Sequence, residues 1–116
     1  MKITTWNVNS INVRLPQLEE WLKRDQPAVV GLQEIKCETD KFPLDAIEAL
    51  GYHAVAHGQP TYNGVALISR SEIEEVIYDI PGFEDEEKRV IAGTIEGIRV
   101  INAYVPNGQD PESDKY

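Results

Sequence analysis

Polar residues stand where two apolar runs stop. In VVGLQEIK, residues 29 to 36, a strand-like run ends in Gln33 and Glu34, and in KITTWNV, residues 2 to 8, another gives way at Asn7. An unpartnered buried carboxylate costs an appreciable part of a domain's net stability, so Glu34 must be solvated at a strand end, paired, or bound to a cation. A carboxylate beside an amide oxygen suits Mg²⁺ or Mn²⁺, hard cations that take oxygen ligands, keep several waters and also bind substrate phosphate. Tyr104 follows the run RVINA and precedes VPNG, so its phenol also lies where a strand yields to a loop. The plainer readings stay open at this point: a solvated strand end for Glu34 and an amphipathic ring at the rim of a core for Tyr104.

Soft-metal chemistry is disfavoured. His53 and His57 lie four apart in a run with strand character, where they share a face without helical geometry, and Cys37, the single cysteine, has no second thiol to join it. Exposed strand residues are the simpler reading of both histidines.

These residues need elements to hold them. KITTWNV has the β-branched and aromatic content of a strand. A helix pattern follows from about Asn12 to Arg24, with Leu15, Leu18, Trp21 and Leu22 on one face, Pro16 read as a first-turn residue, and DQP at 25 to 27 closing it. With the apolar run at 28 to 32 this makes strand, helix, strand, normally a right-handed crossover between parallel strands. Parallel strands end at the same sheet edge, where open α/β sheets bind ligands, so Asn7 and Glu34 are expected side by side. A second short helix is expected near 43 to 50, with Leu44, Ile47 and Leu50 on one face and Gly51 ending it. Then come five β-rich runs, YHAVAHG, GVALISR, IEEVIYDI, RVIAGTI and IRVINAY, with a two-residue turn at Glu96 and Gly97. The expected architecture is α/β, with one mixed sheet of about seven strands and two helices on one face. Its other face would need a partner layer to bury its apolar side chains.

The 116 residues suit one domain, and 41% hydrophobic content places the chain among globular proteins. No apolar segment approaches the roughly 20 residues needed to span a bilayer. One cysteine and no secretory pattern from Met1 onward favour a reducing, cytoplasmic setting. A net charge of -9 argues against bulk electrostatic attraction to nucleic acid, so a phosphate substrate would need local basic residues or a bridging divalent cation.

The words ITTWNVNS with Asn7, VVGLQEIK with Glu34, YNGVALISR with Gly64, KRVIAGTI with Arg89 and INAYVPNG with Tyr104 together resemble, in order and spacing, the exonuclease III type of abasic-site endonuclease. These belong to the endonuclease/exonuclease/phosphatase superfamily. The resemblance implies a four-layered α/β sandwich of two pseudo-symmetric halves, with residues 1–116 as the N-terminal half of the nuclease domain and the C-terminal half absent. It implies a Mg²⁺-dependent DNA-repair phosphodiesterase (Mn²⁺ being an alternative ion) acting on duplex DNA at abasic sites or 3′ ends. Carried over by position, Glu34 and Asn7 would bind metal, Tyr104 would be the active-site tyrosine, and Arg89, Lys36 and Tyr62 would contact DNA. Asn9 stands where some relatives have an aspartate.

The family's Asp-x-Asn motif, which activates the attacking water, and its terminal Asp-His pair do not occur in the 116 residues. The chain by itself is therefore expected to be inactive, because metal alone does not replace a general base. Its expected partner is the missing C-terminal half or a second copy on the open sheet face, with no role for a membrane. Two other readings stay open: a superfamily phosphoesterase acting on phospholipid or small phosphates, and a non-catalytic, self-associating half-domain.

Overall fold

The alternation of apolar residues along each strand dictates where the layers lie. The computed structural model describes residues 3–58, 63–78 and 90–103. The crossover is formed by β1 (Ile3–Asn7), α1 (Ile11–Asp25) and β2 (Val29–Gln33), with β1 parallel to β2 from Ile3 opposite Val29 to Asn7 opposite Gln33. Helix α1 buries Leu18 and Leu22 and packs Leu15 and Trp21 against the same core, the expected face. Trp21 meets Trp6 of β1 edge to face, with ring centroids 6.3 Å apart. The helix ends where Gln26 turns left-handed (φ 48°) and donates its N–H to Leu22 O, and Pro27 follows. It begins one residue earlier than the pattern suggests. Pro16 is its sixth residue, in the second turn and not the first, on an exposed position.

Strands β3 (His53–His57) and β4 (Val65–Ser69) complete a mixed sheet in the order β1-β2-β4-β3, with β4 antiparallel to both neighbours. The short helix α2 (Leu44–Ala49) buries Ile47 on the α1 side, with Leu50 packed beside it, and Gly51 ends the helix at φ 89°. Leu44, expected on that apolar face, keeps 38% exposure. Tyr52 donates its hydroxyl proton to Leu22 O at 3.2 Å, linking the start of β3 to the end of α1.

The remaining strands, β5 (Glu74–Ile77), β6 (Val90–Ile95) and β7 (Ile98–Ala103), form a second, antiparallel sheet in the order β5-β6-β7. This corrects the expectation of one sheet with an uncovered face. Strands 2 and 4 are apolar on both sides: Val30, Leu32, Ala66 and Ile68 face the helices, whereas Val29, Val65 and Leu67 meet Ile91, Ile95 and Val100 of the second sheet. Burying those residues against one another is worth more than extending one sheet in a single plane, so the chain covers that face itself. Period-two patterning locates strands but does not say which sheet they join. The β6–β7 hairpin turns at Glu96 and Gly97, both at positive φ (51° and 80°), the primed geometry that matches strand twist.

Exposed apolar surface lies elsewhere. Among the described residues β1 pairs only with β2 and β7 only with β6, leaving an edge of each sheet unpaired, with Ile3 at 52% and Ile101 at 67% exposure.

Candidate metal and phosphate site

At the end of the parallel pair the backbone ladder continues past the strands. Val8 N–H donates to Gln33 O, Ser10 N–H to Glu34 O and Ile11 N–H to Ile35 O, while Ile35 and Lys36 donate to Gly64 O and Asn63 O before β4. These bonds hold a twisted rim in which Asn9, Ser10, Glu34, Lys36, Asn63 and Gly64 all have positive φ, from 49° to 96°. For Glu34 and Lys36 that region costs on the order of 1–3 kcal/mol each and persists only where the surroundings over-determine it. Gly64 is needed here, because a Cβ would lie 2.6 Å from Ile35 Cγ1, and Ile35 itself is fully buried between the two strained residues.

The rim brings four polar side chains together. Asn7 Nδ2 donates to Glu34 Oε2 at 2.6 Å, Asn9 N–H donates to Asn7 Oδ1 at 3.1 Å, and Lys36 Nζ donates to Asn9 Oδ1 at 2.5 Å. Lys36 Nζ also lies 3.7 Å from Glu34 Oε1. Asn7 and Glu34 are therefore adjacent, as the crossover requires, and Lys36 stands beside them. Among the described residues no three of His, Cys, Asp and Glu gather as a metal site; in this cluster Glu34 supplies the carboxylate, and Asn7 and Asn9 supply amide oxygens. Arg89, Tyr62 and Tyr104 lie outside the described residues.

A cavity of about 420 Å³ adjoins Asn7 between the unpaired edges of β1 and β7, with Thr5, Gln33 and Asn102 as its polar wall. Neither Gln33, the strand-end neighbour of Glu34, nor Asn102 is among the residues to which the sequence assigns a role. Gly31 carried the signal: a glycine inside a buried strand marks a close approach, and a Cβ there would lie 3.0 Å from Asn102 Cγ. His57 meets Tyr78 at a tilt of 53°, with ring centroids 5.3 Å apart, and Cys37 is buried, its thiol pushed up to about 11 first by desolvation and then by Glu38.

The chain as a whole is similar to known proteins. The model of the Endonuclease/Exonuclease/phosphatase family matches residues 4–115. An exodeoxyribonuclease III of Haemophilus influenzae is 40% identical over 114 residues, covering 94% of this chain and 43% of the relative. A Neisseria 3′ phosphatase solved with a product DNA hairpin superposes with a TM-score of 0.92 at 51% identity, over 99% of this chain and 45% of that one. An AP endonuclease from Archaeoglobus fulgidus gives a TM-score of 0.90 at 42% identity, over 97% and 44%. The chain thus spans less than half the length of these relatives.

Proposed function

The chain belongs to the endonuclease/exonuclease/phosphatase family, and from that premise we propose that it is the N-terminal half of a Mg²⁺-dependent DNA-repair phosphodiesterase acting at abasic sites or 3′ ends of duplex DNA. The observation that carries the reading is the Asn7–Glu34 contact of 2.6 Å at the shared end of two parallel strands. Likeness at 51% identity to a 3′ phosphatase bound to DNA supports processing of 3′ ends, and likeness to an AP endonuclease supports abasic sites. A DNA substrate and a lone buried thiol fit a cytoplasmic setting.

The donor set fits a hard cation in kind. One carboxylate and one amide oxygen, both at a strand end, are the few oxygen ligands that Mg²⁺ takes when water and phosphate supply the rest. When bound, such an ion supplies Lewis-acid neutralisation of phosphate charge. Within the chain, Asn7 orients the Glu34 carboxylate by its hydrogen bond, and Lys36 presents an ammonium to a phosphate beside them. Arg89 and Tyr62 are assigned to DNA contact and Tyr104 to the scissile phosphate. No residue of the chain is assigned as general base, a contribution of about 10²–10⁴ in rate.

The test incubates the chain with Mg²⁺ and duplexes carrying an abasic site or a 3′ phosphate, alone and with a separately produced C-terminal half of a relative. Cleavage is expected only in the mixture and is lost in Glu34→Ala. Robust, Glu34-dependent cleavage by the lone chain would overturn the need for the second half. A folded mixture that cuts neither duplex would overturn the nuclease reading.

The unpaired edges of β1 and β7, with Ile3 and Ile101 beside them, favour a second reading for the isolated chain: self-association through surface that the other half would cover. Light scattering at high concentration decides it, and a monodisperse monomer counts against it.

A further inference from the structure

One buried polar side chain joins all the strands that converge on the rim. Asn102 of β7 is 6% exposed, and its Nδ2 donates to Leu32 O at 2.9 Å and to Ala66 O at 2.8 Å, carbonyls of residues that face each other across β2 and β4. Its Oδ1 accepts from Gln33 Nε2 at 2.7 Å, and Gln33 Nε2 also donates to Thr5 Oγ1 of β1 at 2.7 Å. The amide orientation is fixed by its partners, since the flipped group would set its oxygen against two carbonyls. Gln33 directly precedes Glu34, and Thr5 lies two residues before Asn7 on the same face of β1. Asn102 makes room for itself only because position 31 lacks a Cβ.

We propose that Asn102, acting through Gln33, is a positioning residue for the Asn7–Glu34 pair: carried by the second sheet, it locks to β4 the ends of β1 and β2 from which those two side chains project. The proposal rests on the metal-site reading above and deepens it. Left-handed backbone at Glu34 and Lys36 needs surroundings that over-determine it, and a fully bonded, uncharged amide supplies rigidity without placing a charge near the carboxylate. Partners of this kind behind a ligand are typically worth about 10- to 100-fold in metal affinity.

The experiment uses the ¹⁵N-labelled 116-residue chain, Asn102→Leu, Gln33→Leu and the double variant. Three readouts are taken: the Asn7 side-chain amide shift, hydrogen exchange at Ser10, Ile35 and Lys36, and Mn²⁺ affinity from paramagnetic broadening. Both single variants are expected to move the Asn7 signal, speed exchange at the rim and weaken Mn²⁺ about 10-fold, with the double no worse than the weaker single. A folded Asn102→Leu that is less stable globally but keeps the Asn7 signal, rim exchange and Mn²⁺ affinity overturns the proposal. If Asn102→Leu does not fold, Gln33→Leu decides by the same criteria, because it leaves the Asn102 bonds to Leu32 and Ala66 in place. If the unaltered chain binds no Mn²⁺, the metal reading alone fails, and the Asn7 signal and rim exchange still decide: changed in the variants they sustain positioning, unchanged they overturn it.

Discussion

Replacing Gly31 with alanine tests the packing between the two sheets at its tightest point. The added methyl would lie 3.0 Å from Asn102 Cγ, 3.1 Å from Oδ1 and 3.3 Å from Nδ2, whereas carbon atoms rest at about 3.5–4.0 Å. Relief requires Asn102 to retreat by roughly 0.5 Å by that comparison. Its amide is held by bonds of 2.7, 2.8 and 2.9 Å, so the retreat stretches all three at once. Overpacking a core site costs about 1–3 kcal/mol, and weakened bonds of about 0.5–1.5 kcal/mol each add to it. Against this stands the gain of about 0.5–1 kcal/mol from replacing a strand glycine. A net loss of about 1–3 kcal/mol follows. Urea denaturation of Gly31→Ala, with the slope unchanged, measures it. Removing the obstacle in Gly31→Ala/Asn102→Ala should make the pair less destabilised than the two single losses summed. A Gly31→Ala chain within about 0.5 kcal/mol of the parent, or strict additivity in the double variant, would refute the reasoning.

Gly58→Ala should be harsher, because its Cβ would fall 2.1 Å from the Cys37 carbonyl oxygen, a backbone atom that cannot swing aside; soluble, natively folded protein in an expression screen would contradict a loss on the order of 3 kcal/mol. Glu34→Gln keeps an oxygen for the Asn7 amide and removes the charge, so Mn²⁺ binding by titration should weaken at least about tenfold. Stability should move by less than about 1 kcal/mol, since the Lys36 contact at 3.7 Å is a weak, partly exposed pair. The Cys37 thiol, raised from 9.0 to about 11, leaves folded protein unreactive to thiol reagents at pH 8 until it unfolds. Because that value lies above the ordinary one, its contribution to stability is complete below about pH 9 and is lost as pH rises toward 11. Tyr52, also raised by burial, adds to that loss, and a pH series of denaturation midpoints should flatten in Cys37→Ala. Ile101→Thr should lower the apparent mass in light scattering if the outer surface of the second sheet drives self-association.

Local pattern was enough for the elements and for the pair at the rim. The apolar spacing of Leu18 and Leu22, the stop at Gln26 and Pro27, and the turn at Glu96 and Gly97 are short-range features, and short-range sterics and hydrogen bonding decide them. The crossover then left Asn7 and Glu34 one place to meet, because parallel strands joined by a helix must end together. Lys36 followed from the resemblance, and the structure sets it against Glu34 and Asn9.

Other features depended on contacts distant in sequence. Whether β5, β6 and β7 extend the first sheet or fold over it turns on how Ile91, Ile95 and Val100 fit against Val29, Val65 and Leu67, a matter of shape and buried area that periodicity does not encode. Asn102 lies 69 residues from Gln33 and 70 from Leu32, so its role waited on that fold-over. The sequence by itself determined the strands, the crossover and the polar pair that it delivers to one edge. Only the tertiary structure decided that a second sheet covers the first, and that an asparagine from it, admitted by the missing Cβ of Gly31, grips the strand ends behind Glu34. The physical reason is that hydrogen bonding and backbone sterics act between neighbours in the chain, whereas packing acts between neighbours in space.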